Sequence, residues 1–341
     1  MVEIKPVFGE NVLSERLNAI GSYILVTMEE PWELLESKLD NPPKEIIFNR
    51  DMDIENLKTI EKRLKFKVNH VVGFGGGTSC DTAKYLSWKW KLPLIVSPSI
   101  ISVDAWLCRS IAVREDHKVK YIGDVKQQEL IVDYSLIKQA PKYLNWAGIA
   151  DVISITTALG DWLIARDKFG DKFNQDVFDE AKKIAEALIK EASNIKAVND
   201  KGIRALVKGQ VDEVVLCEAW GNARPEEGSE HFLGYCLEDI THAHYIHGNL
   251  IALNILVVLK LQRDHAVFNH SKMKEFFDEI GIEYSPIKQK IKRDDYKQAL
   301  ETIHKYMKKE KFFNGLWTLE NVFDQEGDYS VDGILDWIYS F

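Results

Sequence analysis

Cysteine is scarce in this chain. Cys80, Cys108, Cys217 and Cys236 are scattered over 341 residues, and no two form a C-x-x-C pair. That spacing excludes a zinc ribbon and a thioredoxin-type site, and isolated thiols suit a reducing cytosol. An excess of positive charge is also lacking: Lys and Arg number 44 against 53 Asp and Glu, for a net charge of −9. Nucleic acid or an anionic membrane surface is therefore not the expected partner, because both need a basic face. Long apolar runs are missing too. The longest, within Ile246–Leu261, is interrupted by His247, Asn249, Asn254 and Lys260, so it falls short of the roughly 20 residues a membrane span needs. The N-terminal stretch MVEIKPVFGENVLSERL has scattered charges and no apolar core, so no signal peptide is expected, and the reading is a soluble, cytoplasmic protein.

What is present is globular. Hydrophobic residues make up 45% and charged residues 28%, and a chain of this length defaults to two domains with cores large enough to need no disulfide. The first part alternates short β-rich runs with helical stretches. Ser22–Thr27, Glu45–Asn49, Asn69–Gly73 and Leu94–Val96 read as buried strands. Between the second and third, Ile54, Leu57, Ile60 and Leu64 recur at helical spacing. Strand, helix, strand in succession predicts βαβ units and a parallel sheet, which binds ligands at the carboxyl ends of its strands. After about residue 143 the texture changes to long amphipathic stretches, Ile149–Ala165, Asp176–Glu191, Asn199–Trp220 and Gly248–Gln262. The expected fold is α/β: a parallel-sheet domain over 1–145 and an all-helical domain over 146–341.

Two features of the first part carry chemistry. Gly73-Phe74-Gly75-Gly76-Gly77-Thr78-Ser79-Cys80-Asp81 follows a strand and opens a helix. Consecutive glycines let backbone approach a ligand with no Cβ in the way and permit positive φ, and a helix N-terminus presents free N–H groups to a pyrophosphate. Thr78-x-x-Asp81 fits a capping box with Asp in place of Glu. Thr78 stands where the last glycine of G-x-G-x-x-G belongs, so this is not the Rossmann fingerprint, and a plain tight turn is the alternative. Glu29, just past the first predicted strand, is placed to bond a ribose 2′-OH and to repel a 2′-phosphate, or else is a solvated carboxylate.

In the second part, four of the nine histidines fall within seventeen positions: His231, His242, His244 and His247. Glu226, Glu227, Glu230, Glu238 and Asp239 lie in or beside the same segment. Such a cluster is a candidate metal site. No H-E-x-x-H is present, so it is not a zincin, and spacing leaves open which histidines are ligands. Asp151 sits among small apolar residues, where a carboxylate needs a partner or a metal; an N-cap or a buried salt bridge serves equally well.

At this point four blocks resemble the iron-containing alcohol dehydrogenase superfamily, which includes glycerol dehydrogenase and dehydroquinate synthase, and within it most nearly the sn-glycerol-1-phosphate dehydrogenase branch. They are Gly75–Lys84, Pro98–Asp104, Ala147–Asp151 continuing to Asp161-Trp162, and Ala223–His231 with Ile246-His247-Gly248. The resemblance spans about residues 70–250. It implies NAD, or NADP, on the N-terminal domain, with Gly75, Gly76 and Gly77 at the pyrophosphate and Glu29, Thr78, Asp81, Ser99, Ser102 and Cys108 as further cofactor-binding positions. It implies one divalent metal, zinc before iron or nickel, on Asp151, His231 and His247, acting as a Lewis acid toward a substrate oxygen. Asp104 matches a position close to the substrate hydroxyls. Arg224 is the candidate for an anionic substrate group, since a guanidinium grips phosphate bidentately; a salt bridge to Glu226 or Glu227 is its structural alternative. Arg109 and Lys84 are weaker anion candidates.

The sequence also departs from the family. After Asp104 it reads Ala105-Trp106-Leu107-Cys108-Arg109 where a Gly and a Ser-Pro are usual, and a Trp there would reshape the pocket wall. Val152-Ile153 replaces a usual Lys, and Asn249-Leu250 replaces Glu-Gln after His247-Gly248. The expected activity is reduction of a small phosphorylated ketose or oxidation of the matching polyol phosphate, with dihydroxyacetone phosphate and sn-glycerol 1-phosphate first. Related polyol dehydrogenation, a dehydroquinate-synthase-like cyclisation and a non-catalytic nucleotide- or metal-binding homologue are the alternatives. A homo-oligomer is expected.

Overall fold

The computed structural model describes residues 4–63, 67–116 and 118–341; Leu64 of the predicted helical spacing lies outside the described residues. The chain divides into two compact units. One comprises 4–145 with Val198–Ile203, the other Trp146–Ala197 with Arg204–Phe341.

Among its described residues the first unit has eight strands: β1 (Val7–Gly9), β2 (Tyr23–Thr27), β3 (Glu45–Phe48), β4 (His70–Gly75), β5 (Leu94–Pro98), β6 (Ser110–Glu115), β7 (Lys118–Asp124) and β8 (Glu129–Asp133). Six form one sheet in the order β1-β8-β5-β4-β2-β3, and every pairing is parallel. The sequence explains why. Tyr23-Ile24-Leu25-Val26-Thr27 and Leu94-Ile95-Val96 are continuous apolar runs buried on both faces, as strands covered by helices on each side must be. Leu13 and Leu17 from the first helix pack with Leu25, Val72, Phe74, Ile95 and Ile131 of four strands. Asp133, at the carboxyl end of β8, is buried and accepts from the amides of Asn11, Leu13 and Ser135, so one carboxylate caps two helix starts. β5 extends through Pro98 rather than stopping before it. β1, β8 and the antiparallel β6–β7 ribbon are additions to the four strands expected from sequence.

The second unit is helical. The expected Ile149–Ala165 helix is three segments, Ile149–Ile153, Ile155–Ile164 and a π-turn over Ala165–Phe169 that ends at Gly170 with φ 70°. Gln175–Ile189, Asp200–Trp220, Ser229–Thr241 and His247–Leu261 follow. The last begins where Gly248 meets Ala147: a Cβ there would fall 1.8 Å from the Ala147 carbonyl oxygen, so only glycine allows this approach. Among the described residues, one helical run, Lys142–Phe169, is long and apolar enough to cross a membrane, but 94% of its apolar window is buried inside the fold. It is a core element. His247–Leu261, most of the longest apolar run in the sequence, is likewise a largely buried helix.

Candidate functional site

The segment between β4 and the helix Gly77–Trp90 places the triple glycine at the carboxyl edge of the sheet. The glycines act by close approach, not by positive φ. Gly76, the N-cap, has φ −80° and ψ −167°, and none of Gly75, Gly76 and Gly77 is among the positive-φ residues. A Cβ on Gly75 would lie 2.6 Å from Ser79 Cβ, and one on Gly73 would lie 2.8 Å from Ala83 Cβ. These two glycines let helix and strand touch; Gly76 and Gly77 are partly exposed. The expected capping box is absent. The N-cap is Gly76, with no side-chain cap bond, and Thr78 lies inside the helix. Asp81 is buried, accepts from the Ala112 amide and pairs with Lys84 at 2.5 Å, so it supports the turn from behind.

Ser99 is buried, and its amide donates to the Gly75 carbonyl at 3.0 Å. Ser102 and Asp104 are half-buried on the segment that follows β5, and Cys108 Sγ donates to Asp104 Oδ2 at 3.1 Å. Trp106 is buried, at 1% exposure. Glu29 lies past β2 and is exposed, and Arg50 bonds both it and Glu30, at 2.8 Å each. Lys84 is spent on Asp81 and three backbone carbonyls, and Arg109 pairs with Asp124; both weaker anion candidates are thus committed within their own unit.

In the helical unit three residues separated by up to 96 positions converge. Asp151 comes from the helix Ile149–Ile153, His231 from the first turn of Ser229–Thr241, and His247 from the first residue of its helix. Their ligand atoms all lie within 4.8 Å of one another. His247 Nε2 is 3.3 Å from His231 Nε2 and 3.3 Å from Asp151 Oδ1. Metal–ligand bonds of about 2.0–2.1 Å in a tetrahedral shell give ligand–ligand edges of about 3.3 Å, so one cation fits this donor set. His242 and His244, left open by spacing, are not in the cluster. Asp151 and His231 are 3% and 4% exposed, whereas the His247 side chain is 37% exposed.

A carboxylate stands behind His231. Glu230 is fully buried, and its Oε1 lies 2.8 Å from His231 Nδ1. The same oxygen accepts from the Gly228 amide, and Oε2 accepts from the Thr157 hydroxyl. Burial disfavours charge on His231, but the hydrogen bond to Glu230, with the Glu227 and Glu226 carboxylates, outweighs it and pushes the imidazole up to about 10. A proton held on Nδ1 by Glu230 leaves Nε2 as the ligating atom. Asp161 forms a second buried knot. Its carboxylate accepts from the amides of Ser229 and Leu316 and from Gln262 Nε2. Neither role was assigned by the sequence; adjacency to His231 was the only signal for Glu230, and Asp161 carried none beyond its place in a block.

Arg224 is 5% exposed. It forms no ion pair with Glu226 or Glu227. Nη2 donates to the Asp161 carbonyl at 3.3 Å, the guanidinium lies over the Phe313 ring at 5.6 Å, and Nη1 has no hydrogen-bond partner. Burial lowers its pKa from the usual guanidinium value, against the more distant Asp161, Asp171 and Glu230 carboxylates.

Known proteins resemble this chain in sequence and in fold. Residues 32–141 match the family model of iron-containing alcohol dehydrogenases. A glycerol-1-phosphate dehydrogenase [NAD(P)+] from Thermoplasma volcanium is 27% identical over 309 residues, covering 87% of each chain. That from Hyperthermus butylicus is 31% identical over 205 residues, 60% of this chain and 58% of its own. Among solved structures, glycerol dehydrogenase from Schizosaccharomyces pombe superposes with a TM-score of 0.72 at 16% identity, over 98% of this chain and 88% of that one. A probable glycerol dehydrogenase from Sinorhizobium meliloti gives 0.67 at 17%, over 98% of both.

Proposed function

We propose that this chain is a member of the iron-containing alcohol dehydrogenase superfamily and an NAD(P)-dependent, metal-dependent dehydrogenase that interconverts dihydroxyacetone phosphate and sn-glycerol 1-phosphate. The observation that carries this reading is the convergence of Asp151, His231 and His247, with ligand atoms within 4.8 Å of one another and His247 Nε2 3.3 Å from each of the other two. A divalent cation held there, zinc by preference for two imidazoles and one carboxylate, supplies Lewis acidity toward the substrate oxygen. The nicotinamide supplies the hydride chemistry, and the protein supplies position and electrostatics.

The chain's own residues have separate tasks. Gly75–Gly77 and the helix they open bind the dinucleotide pyrophosphate through backbone N–H groups. Glu230 keeps the His231 Nδ1 proton in place and so directs Nε2 outward. Asp104 orients substrate hydroxyls. Arg224 takes the substrate phosphate: a buried cation without a paired carboxylate is costly, and its orphaned Nη1 is a donor that a phosphate oxygen satisfies. Four free cysteines, with Cys80 and Cys236 buried, support a reducing cytoplasmic setting.

The test is NAD(P)H oxidation with a panel of keto- and aldo-phosphates in the presence of added zinc. Turnover of dihydroxyacetone phosphate above its dephospho analogue supports the reading. Dinucleotide binding without turnover of any triose, tetrose or pentose phosphate refutes it.

A further inference from the structure

The segment Asp104–Ser110 has almost no regular structure beyond the single 3₁₀ turn Asp104–Trp106, yet its backbone carbonyls are all engaged. The Asp104 carbonyl accepts from the Leu107 amide and that of Arg109 from the Val125 amide. The other five are held by two side chains from outside the segment. Lys84 Nζ donates to Ala105, Cys108 and Ser110 at 2.9, 3.3 and 2.7 Å. Gln127 Nε2 donates to Trp106, Leu107 and Cys108 at 3.2, 3.2 and 3.0 Å. Buried carbonyls must find donors, and an irregular turn does not supply them itself. Converging carbonyl oxygens build negative potential, which suits an ammonium. Lys84 is 1% exposed and Asp81 4%, and Asp81 fixes the ammonium while also accepting from the Ala112 amide just past the segment.

The clamped segment faces the glycine turn. A Cβ on Gly77 would lie 3.2 Å from Val103 Cγ2 and 3.8 Å from Ala105 Cβ. It also carries Asp104 and Cys108, joined by their 3.1 Å hydrogen bond. A buried ion pair brings little net stability compared with apolar packing, so a positional role explains the Lys84–Asp81 pair better than a stabilising one. We propose that Lys84 and Gln127 are positioning residues: together they set the Asp104–Ser110 backbone against the glycine turn and so fix where Asp104 meets the substrate and where the dinucleotide seats. The functional half of this statement rests on the dehydrogenase reading above; the structural half does not.

Two variants of the full-length protein test it. Gln127→Leu removes one clamp with little change of volume. The double variant Lys84→Met with Asp81→Asn removes the other without leaving a buried carboxylate unpaired. Leu13→Ala, in the core of the same unit, is the control for general destabilisation. The first readout is alkylation of Cys108 by iodoacetamide in the folded protein, resolved by peptide mass spectrometry. Release of the segment from its clamp raises that rate about tenfold in either clamp variant, as local opening does, and leaves it near wild type in Leu13→Ala. The second readout is kinetic: kcat/KM for dihydroxyacetone phosphate drops about tenfold to a hundredfold, the scale of a misplaced reacting geometry. Cys108 rates within twofold of wild type in both clamp variants, or an equal rise in Leu13→Ala, overturn the proposal. If the wild type turns over no sugar phosphate while the Cys108 rates rise as stated, the clamp stands and the dehydrogenase reading falls.

Discussion

The carboxylate of Glu230 lies 2.8 Å from Nδ1 of its sequence neighbour His231, with no solvent exposure, and thereby turns the other ring nitrogen toward His247 and Asp151. A helix start brings this about: the Gly228 amide and the Thr157 hydroxyl hold the Glu230 head, while the first turn points His231 the opposite way. Replacing Glu230 with Gln keeps the shape and removes the charge. Zinc affinity, measured against a competing chelator, is expected to drop about 10–100-fold, the usual cost of losing such a partner. An unchanged affinity would show that Glu230 serves packing alone.

The same pair makes the metal-free protein sensitive to alkaline pH. The folded-state pKa of His231 is raised, to about 10, from an ordinary value of 6.5. Its contribution to stability is therefore complete below about pH 6.5 and is lost as pH climbs through about 10. Thermal unfolding in the presence of a chelator should show the midpoint falling across that window, and the fall should be smaller in Glu230→Gln. A zinc-bound His231 has already given up its Nε2 proton, so the gap between metal-loaded and metal-free midpoints widens over the same range. A constant gap from pH 6.5 to 10 contradicts this.

On the proposed reading, the buried Arg224 guanidinium grips the substrate phosphate through its unpartnered Nη1. Charge-assisted hydrogen bonds contribute about 1.5–3 kcal/mol each, and a factor of ten corresponds to about 1.4 kcal/mol. Arg224→Ala should raise KM for dihydroxyacetone phosphate by about tenfold to a hundredfold or more, and should leave dihydroxyacetone little affected. Equal losses on both substrates would reduce Arg224 to its contacts with the Asp161 carbonyl and Phe313.

The glycines divide by neighbour. Gly73→Ala drives a Cβ to 2.8 Å from Ala83 and 3.4 Å from the Cys80 backbone, and overpacking of this kind costs about 1–3 kcal/mol, visible in thermal unfolding. Gly77→Ala meets Val103 Cγ2 at 3.2 Å, which a side chain can yield, and Ala105 Cβ at an ordinary contact distance of 3.8 Å. It should leave the midpoint close to wild type and weaken NADH binding, followed by nicotinamide fluorescence. Unfolding by Gly77→Ala, with Gly73→Ala tolerated, would reverse the assignment.

The parallel sheet was legible because its central strands are continuous apolar runs, a local property of Tyr23–Thr27 and Leu94–Val96. β1 is three residues long and β7 is largely exposed, so neither has an apolar signature to read. Positive φ at the glycine turn was inferred from composition, whereas the backbone shows that absence of a Cβ between strand and helix is what matters. Spacing confines the candidate ligand histidines to one histidine-rich segment, but the choice of His231 and His247 comes from family resemblance, because contact with Asp151 is a matter of tertiary packing. Lys84, Gln127 and Asp161 were illegible in their roles for the same reason. Each is a polar residue whose partners are backbone groups distant in sequence, and no periodicity marks such a partner.

The most direct test is metal content. Purified wild-type protein and the single variants Asp151→Asn, His231→Ala and His247→Ala are loaded with zinc, desalted and assayed by mass spectrometry, with circular dichroism as the check on folding. One zinc per wild-type chain, and loss of most of it in each variant with the helical signal retained, is the predicted result. Full occupancy in all three variants would mean that these side chains do not share a cation.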